Sequence, residues 1–168
     1  MVHFVELVFD IDTEAAVRNI WAGLAEFGIH SQPPGSRPHT TLTVAQRIDA
    51  EVDALLAALV FRFPFSCRIG APLLFGRSTV LARLVVPTTE LLDLHAEVYR
   101  LCLPHLTPGP MANARPGQWT PHVTMARRVG PGELGRALPI AGEPQELVGN
   151  VIGLRRWDGD EKLEYPIS

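Results

Sequence analysis

Two short segments of this chain follow one pattern. Pro38-His39-Thr40-Thr41-Leu42 and Pro121-His122-Val123-Thr124-Met125 each read proline, histidine, any residue, threonine, apolar residue. Each follows a loop and opens a strand-like run, HTTLTVA from His39 and HVTMARRV from His122. One such match is weak, because a hydroxyl two places after a histidine is a common accident. Two matches, both behind a proline and one in each half of the chain, are far more specific. The fold must therefore present the same local structure twice.

The surrounding pattern repeats in the same way. Val2 to Ile11 is apolar and β-branched, as a strand requires. A helix follows, capped by Asp12 or Thr13, with Val17, Ile20, Trp21 and Leu24 at helical spacing and Gly28 at its end. SQPPGSRP is then a loop. After the first motif a second helix is predicted over about Asp49 to Val60. The strands FSCRIG, PLLF and STVLARLVV come next, then a third helix beginning at Thr88 or Thr89. Pro104 to Trp119 reads as a long loop, and a loop of that length in a compact domain is often functional. A short turn or helix around Pro131 to Ala137 and a hairpin turning at Asp158-Gly159-Asp160 close the chain. The mixture is α+β. Each half supplies a strand, a helix, a proline-rich loop and a Pro-His-x-Thr strand.

On a strand, residues i and i+2 share a face. His39 and Thr41 therefore point together, as do His122 and Thr124. The preceding proline biases the loop residue ahead of it towards extended geometry, so a rigid strand begins at the histidine. Displacement at phosphorus needs a base on the attacking oxygen and an acid on the leaving oxygen. Two imidazoles can serve both ends near neutral pH. A hydroxyl beside each can donate to the non-bridging oxygens as charge builds there. Such chemistry asks for no metal and no cofactor, and no zinc-like ligand spacing is present.

These residues resemble the 2H phosphoesterase superfamily, whose members carry two His-x-Thr/Ser motifs. In particular they resemble its RNA 2′,3′-cyclic phosphodiesterase branch, also called the 2′-5′ RNA ligase family. Met125-Ala126-Arg127 matches a common continuation of the second motif. The resemblance implies one domain over residues 1–168, built of two intertwined lobes. Two pseudo-symmetric antiparallel β-sheets would line a central cleft, with helices outside. It implies His39 and His122 as the catalytic pair, with His122 as base and His39 as acid. It also implies phosphate binding by Thr41 and Thr124, and substrate contact by Arg127. Arg127 stands five residues after His122, an odd offset that a flat strand would point away, so a bend is needed. The stretch after the first motif is short, and the Pro104–Trp119 loop departs from the family pattern. Both bear on substrate choice more than on chemistry.

Charge limits the partners. At a net −3 and pI near 6.0, the chain lacks the basic surplus of proteins that wrap long duplexes. A short RNA end or a cyclic nucleotide is the expected ligand. Arg37 and Trp119 flank the motifs, where one could meet phosphate and the other a base. Arg115 stands beside a motif as Arg37 does, and Phe75, Trp157 and Arg128 offer weaker versions of these contacts. His95 and His105 lie in or just after the third helix, where His95 shares an apolar stripe. His3, on the first strand, could approach a two-lobed cleft but is better explained by exposure or capping, and His30 has no partner by spacing. Cys67 and Cys102 lie in apolar runs and read as buried reduced thiols. The opening residues lack the basic flank of a signal peptide, and no apolar run is long enough to cross a membrane. A cytoplasmic monomer is expected. Two other functions fit the same residues: a cyclic phosphoesterase of a small nucleotide metabolite, and a non-catalytic module that binds RNA ends or nucleotides. The family's ligase activity does not follow from the residues themselves.

Overall fold

The structure, a computed structural model, describes residues 1–33, 35–76 and 79–168. Strand β1 (His3–Phe9) is an apolar run broken by His3 and Glu6. Helix α1 (Ile11–Ala25) follows at once, with Asp10 as N-cap. Its buried residues Thr13, Val17, Ile20 and Leu24 recur at helical spacing, and Gly28, at φ +72°, lies just beyond its end. Strands β2 (His39–Ala45) and β3 (Arg47–Ile48) lead to helix α2 (Val52–Ala57). This helix is shorter than the predicted Asp49 to Val60, because a 3₁₀ turn at Val60–Arg62 takes over ahead of Pro64.

FSCRIG and PLLF form one strand, β4 (Phe65–Phe75), rather than two. A bulge between Ile69 and Pro72 absorbs the proline in its pairing with β5 (Val80–Val85). The predicted start of that next strand at Ser78 lies outside the described residues. The buried Arg83 serves this bulge, donating to the carbonyls of Ile69, Gly70 and Gln145. Helix α3 (Thr89–Cys102) is capped by Thr88, whose hydroxyl accepts from the Leu91 N–H at 3.2 Å. The long loop contains a 3₁₀ turn (Leu103–His105) and a two-residue strand, β6 (Leu106–Thr107). Strand β7 (His122–Ala126), helix α4 (Leu134–Ala141), strand β8 (Leu147–Asp158) and strand β9 (Leu163–Pro166) complete the chain. The closing hairpin turns over four residues, 159–162, instead of the predicted three.

The strands pair antiparallel in the order β2-β1-β8-β4-β5-β7, with β9 beside β8 and β3-β6 forming a separate small sheet. Twelve-residue β8 is the joint. Its residues Leu147–Val151 pair with β4, and Val151–Trp157 pair with β1. The two expected sheets are thus two half-sheets that share one long strand. Helix α3 packs on α2 and β2, whereas α1 packs on α4, β7 and β8. The helix that follows the first strand therefore serves the second half, and the halves are intertwined. The ends of the strand path, β2 and β7, touch each other. Residues with no exposure, among them Val5, Leu7, Leu24, Leu56, Ile69 and Leu81, fill the interior. Each fully buried aliphatic side chain contributes about 1.5–3 kcal/mol.

Cys67 and Cys102 are free and buried. Burial, helped by the charges of Asp10 and Asp53, pushes their thiols up to about 11 and about 12. Thiols held protonated in this way are inert. Among the described residues no helix is long and apolar enough to cross a membrane.

Candidate active site

The two motifs fold alike in detail. Against β1, His39 pairs with Val8 and Thr41 with Glu6, and then Leu42 is skipped so that Thr43 meets Val5. Against β5, His122 pairs with Leu84 and Thr124 with Ala82, and then Met125 is skipped so that Ala126 meets Leu81. Each strand thus bulges three residues after its histidine. A bulge adds one residue and shifts the alternation of faces beyond it. This supplies the bend that Arg127 needs. The offset of five becomes an even step in register, and Arg127 returns to the face of His122 and Thr124. The same step brings Val44 to the face of His39 and Thr41.

The imidazoles are anchored identically. His39 Nδ1–H donates to the Arg37 carbonyl at 2.7 Å, and His122 Nδ1–H donates to the Thr120 carbonyl at 2.8 Å. In both cases the acceptor stands two residues upstream, across the motif proline. This bond fixes the tautomer and leaves Nε2 for other work.

The Nε2 environments differ. His39 Nε2 lies 3.2 Å from Glu6 Oε1, so both its ring nitrogens face acceptors. Glu6 is buried, and its other oxygen accepts from Arg155 Nε at 2.8 Å. Arg155 is buried in turn and also bonds Glu164. His122 has Phe75 beside it, ring centroids 4.2 Å apart. Burial lowers the pKa of His122 below the ordinary histidine range. The bond to the Thr120 carbonyl opposes this, while the charges of His39 and Arg127 add to it.

Two cavities meet at this point. One, of about 430 Å³, is lined by Thr41, Thr124, His122, Phe75 and Trp119 among others. The second, of about 810 Å³, is more heavily charged and includes Glu6, Arg37, His39, Arg155, Trp157 and Lys162 in its lining. Thr41 and Arg127 line both. Burial also lowers the Arg127 pKa, and its Nε donates to Gln32 Oε1 at 3.3 Å.

The structure thus places His122 and Thr124 on the smaller cavity and His39 on the larger, with Thr41 and Arg127 on the wall the two share. Arg37 lies at the edge of the larger cavity, tied to Glu14 at 2.7 Å. Burial raises the Glu14 pKa, but the bonds from Arg37 and Arg18 outweigh it and hold the carboxyl low. Trp119 lines the smaller cavity, with His95 stacked on it at 3.9 Å and 4°. His3 turns to another cavity, where its Nε2 approaches Asp160 at 3.0 Å and Asp158 at 3.4 Å. Its Nδ1 accepts from the Ile48 N–H. The proton then belongs on Nε2, which suits a salt-bridged histidine better than a metal ligand. Sequence reasoning missed Glu6, Arg155 and the structural importance of Trp21. Glu6 alone carried a signal, as a carboxylate in the middle of the apolar run HFVELVF.

The profile of the 2′-5′ RNA ligase superfamily matches residues 12–161. The chain belongs to that superfamily of 2H phosphoesterases. No curated protein sequence matches it. Among solved structures, Escherichia coli LigT superposes with a TM-score of 0.63 at 15% identity, over 99% of this chain and 94% of that one. TT0787 of Thermus thermophilus gives 0.61 at 20% identity, over 100% and 96%. Kluyveromyces marxianus Usb1 gives 0.54 at 10% identity, over 99% and 97%. LigT is also known in complexes with phosphate, ATP and NADP+.

Proposed function

We propose that this protein is a phosphodiesterase that opens 2′,3′-cyclic phosphates at RNA ends or on nucleotides, using His122 as base and His39 as acid without a metal. The observation that carries the reading is the paired anchoring of the two imidazoles. Each Nδ1–H is tied to the carbonyl two residues upstream, on matching bulged strands that face one cleft. Membership of the superfamily and the nucleotide complexes of LigT support it.

Water attacks phosphorus and gives its proton to His122 Nε2. The bond from phosphorus to one ribose oxygen breaks, and that oxygen takes a proton from His39 Nε2. A phosphomonoester remains on the other ribose oxygen. The surroundings support this assignment. The lowered pKa of His122 keeps it neutral and able to accept. His39 Nε2, 3.2 Å from Glu6 Oε1, is the atom that gives its proton to the leaving oxygen. Thr41, Thr124 and Arg127 donate to the non-bridging oxygens, where charge grows in the transition state. The neighbouring cavities hold the base and any further nucleotide, with Trp119 and Arg37 at their walls.

The test is incubation of the purified protein in EDTA with the four nucleoside 2′,3′-cyclic monophosphates and a short RNA ending in a cyclic phosphate. Product that is insensitive to EDTA, and lost in both His39→Ala and His122→Ala, is expected. Turnover at or near the rate of the unchanged protein in either variant would sink the mechanism. Tight binding without product would instead favour an RNA-end binding module.

A further inference from the structure

We propose that Trp21 and Trp119 are positioning residues that hold the two motif threonines in place for phosphate, a role that rests on the phosphodiester chemistry above. Strands β2 and β7 end the strand path, so each leaves backbone groups without a ladder partner. In both, the carbonyl of the motif threonine is taken by an indole. Trp119 Nε1–H donates to Thr41 O at 3.1 Å, and Trp21 Nε1–H donates to Thr124 O at 3.0 Å.

The two indoles come from unlike places. Trp21 lies in α1, and Trp119 lies in the loop before β7. Repetition of the fold therefore does not explain the match. The bracing is also crossed: the tryptophan from the first half of the sequence holds the second motif, and the one beside the second motif holds the first. Each bond lands on the residue just before a bulge, where the strand bends and the face of the following residues is decided. In the first half the bulge itself is held too, because His95 Nε2–H donates to Leu42 O at 3.1 Å while its ring stacks on Trp119. Two successive carbonyls are thus fixed by one stacked pair.

A peptide pinned in this way sets the direction of the threonine side chain. A misplacement of about 1 Å at a reacting group can cost 10²-fold. The experiment removes the N–H and keeps the ring, by placing benzothienylalanine, whose sulfur replaces the indole nitrogen, at position 21 or 119. Trp→Phe variants accompany it. Turnover of a cyclic nucleotide and titration with inorganic phosphate are both measured. We expect kcat to fall about tenfold in either isostere, with phosphate binding several-fold weaker and the melting temperature nearly unchanged. The loss should vanish when the Trp119 isostere is made in Thr41→Val, or the Trp21 isostere in Thr124→Val, because each tryptophan then has nothing left to position. Wild-type kcat and phosphate affinity in both isosteres would overturn the proposal. So would a loss of equal size with and without the threonine. If the unmodified protein turns over no cyclic nucleotide, the functional reading fails by itself, and the phosphate titration decides the bracing alone.

Discussion

Opposite Thr41 on the neighbouring strand stands Glu6, and opposite Thr124, at the matching register, stands Ala82. Two residues beyond each bulge the charge changes sides: Val44 occupies the position in the first half, and Arg127 in the second. The scaffold around the two motifs is otherwise shared, down to the proline, the carbonyl under Nδ1, the bulge and the indole. A carboxylate faces one imidazole, while the other is set apart first by burial, with the charge of Arg127 adding to it, so two identically mounted imidazoles stand in unlike surroundings. An acid–base pair would need that difference.

Losing either imidazole should have the largest effect. His39→Ala and His122→Ala should each lower kcat by about 10²–10⁴-fold. The double variant should be little worse than either single, since the pair works as a unit. The pH profile separates their roles. A base must be neutral, and His122 is held below the usual histidine value of about 6.5. Activity should therefore climb with pH along a limb lying below that value. His39→Ala should keep this limb in its residual activity and His122→Ala should lose it; the opposite result would exchange the two roles.

Erasing the charge difference comes next. Glu6→Gln keeps the shape of the side chain and removes the charge facing His39, and kcat should fall about tenfold, roughly 1.4 kcal/mol in the barrier. Stability should suffer as well, because Arg155 is left with Glu164 alone. Losing one partner of a buried pair costs about 3–5 kcal/mol, and somewhat less where a second partner remains. Denaturant melts check this. On the other side, Arg127→Gln should raise KM about tenfold, as expected for a charge-assisted bond to phosphate worth about 1.5–3 kcal/mol, and should move the acid limb slightly towards higher pH, because one of the charges that lowers the His122 pKa is gone. An unchanged KM would show that Arg127 shapes the cleft without gripping the substrate.

Much of this comparison was legible in the sequence. The motif pair, the proline before each histidine and the alternation of faces are local properties, so periodicity alone put His39 with Thr41 and His122 with Thr124, while bringing the two pairs to one site rested on the resemblance. Arg127 could be named only by resemblance, because its odd offset makes sense only with a bulge. A bulge is a matter of pairing with another strand, which nothing local records. The pairing of Glu6 with Arg155 was invisible for the same reason, since they meet across 149 positions of sequence, and only the carboxylate within an apolar run marked Glu6. The element order was recovered, but β3 and β6 were not, since two-residue strands have no periodicity. PLLF was separated from FSCRIG because Pro72 looks like a strand breaker until a bulge accommodates it. The single strand β8 that joins the half-sheets likewise depends on its partners changing midway.

The smallest effect tests whether the two halves are also braced differently against acid. Each half contains one histidine whose pKa is lowered first by burial: His95 under the first motif and His122 at the second. For His95, backbone hydrogen bonds to Leu42 and Ala114 oppose the shift without reversing it. A histidine with a folded-state pKa below its unfolded value takes up its proton more readily when the chain unfolds. Stability is then complete above the unfolded value of about 6.5 and is lost as pH falls from there through the folded value. The lowered carboxylates Glu14, Asp158 and Asp160 act with the same sign but below their ordinary values of 4.5, 3.8 and 3.8, so the window from about 6.5 down to 5 belongs to histidines. His95→Gln can still donate to Leu42 O but cannot titrate. Its melting temperature should fall less steeply across that window than that of the unchanged protein, by a few degrees at about pH 5. His122→Gln should flatten the curve similarly if burial governs both. If only His95→Gln flattens it, proton uptake on unfolding belongs to the half whose bulge is held by a titratable side chain, and the half braced from α1 is insensitive to acid. Parallel curves for all three proteins would show that neither imidazole is kept neutral by the fold, and the asymmetry of the two halves would then rest on Glu6 and Arg127 alone.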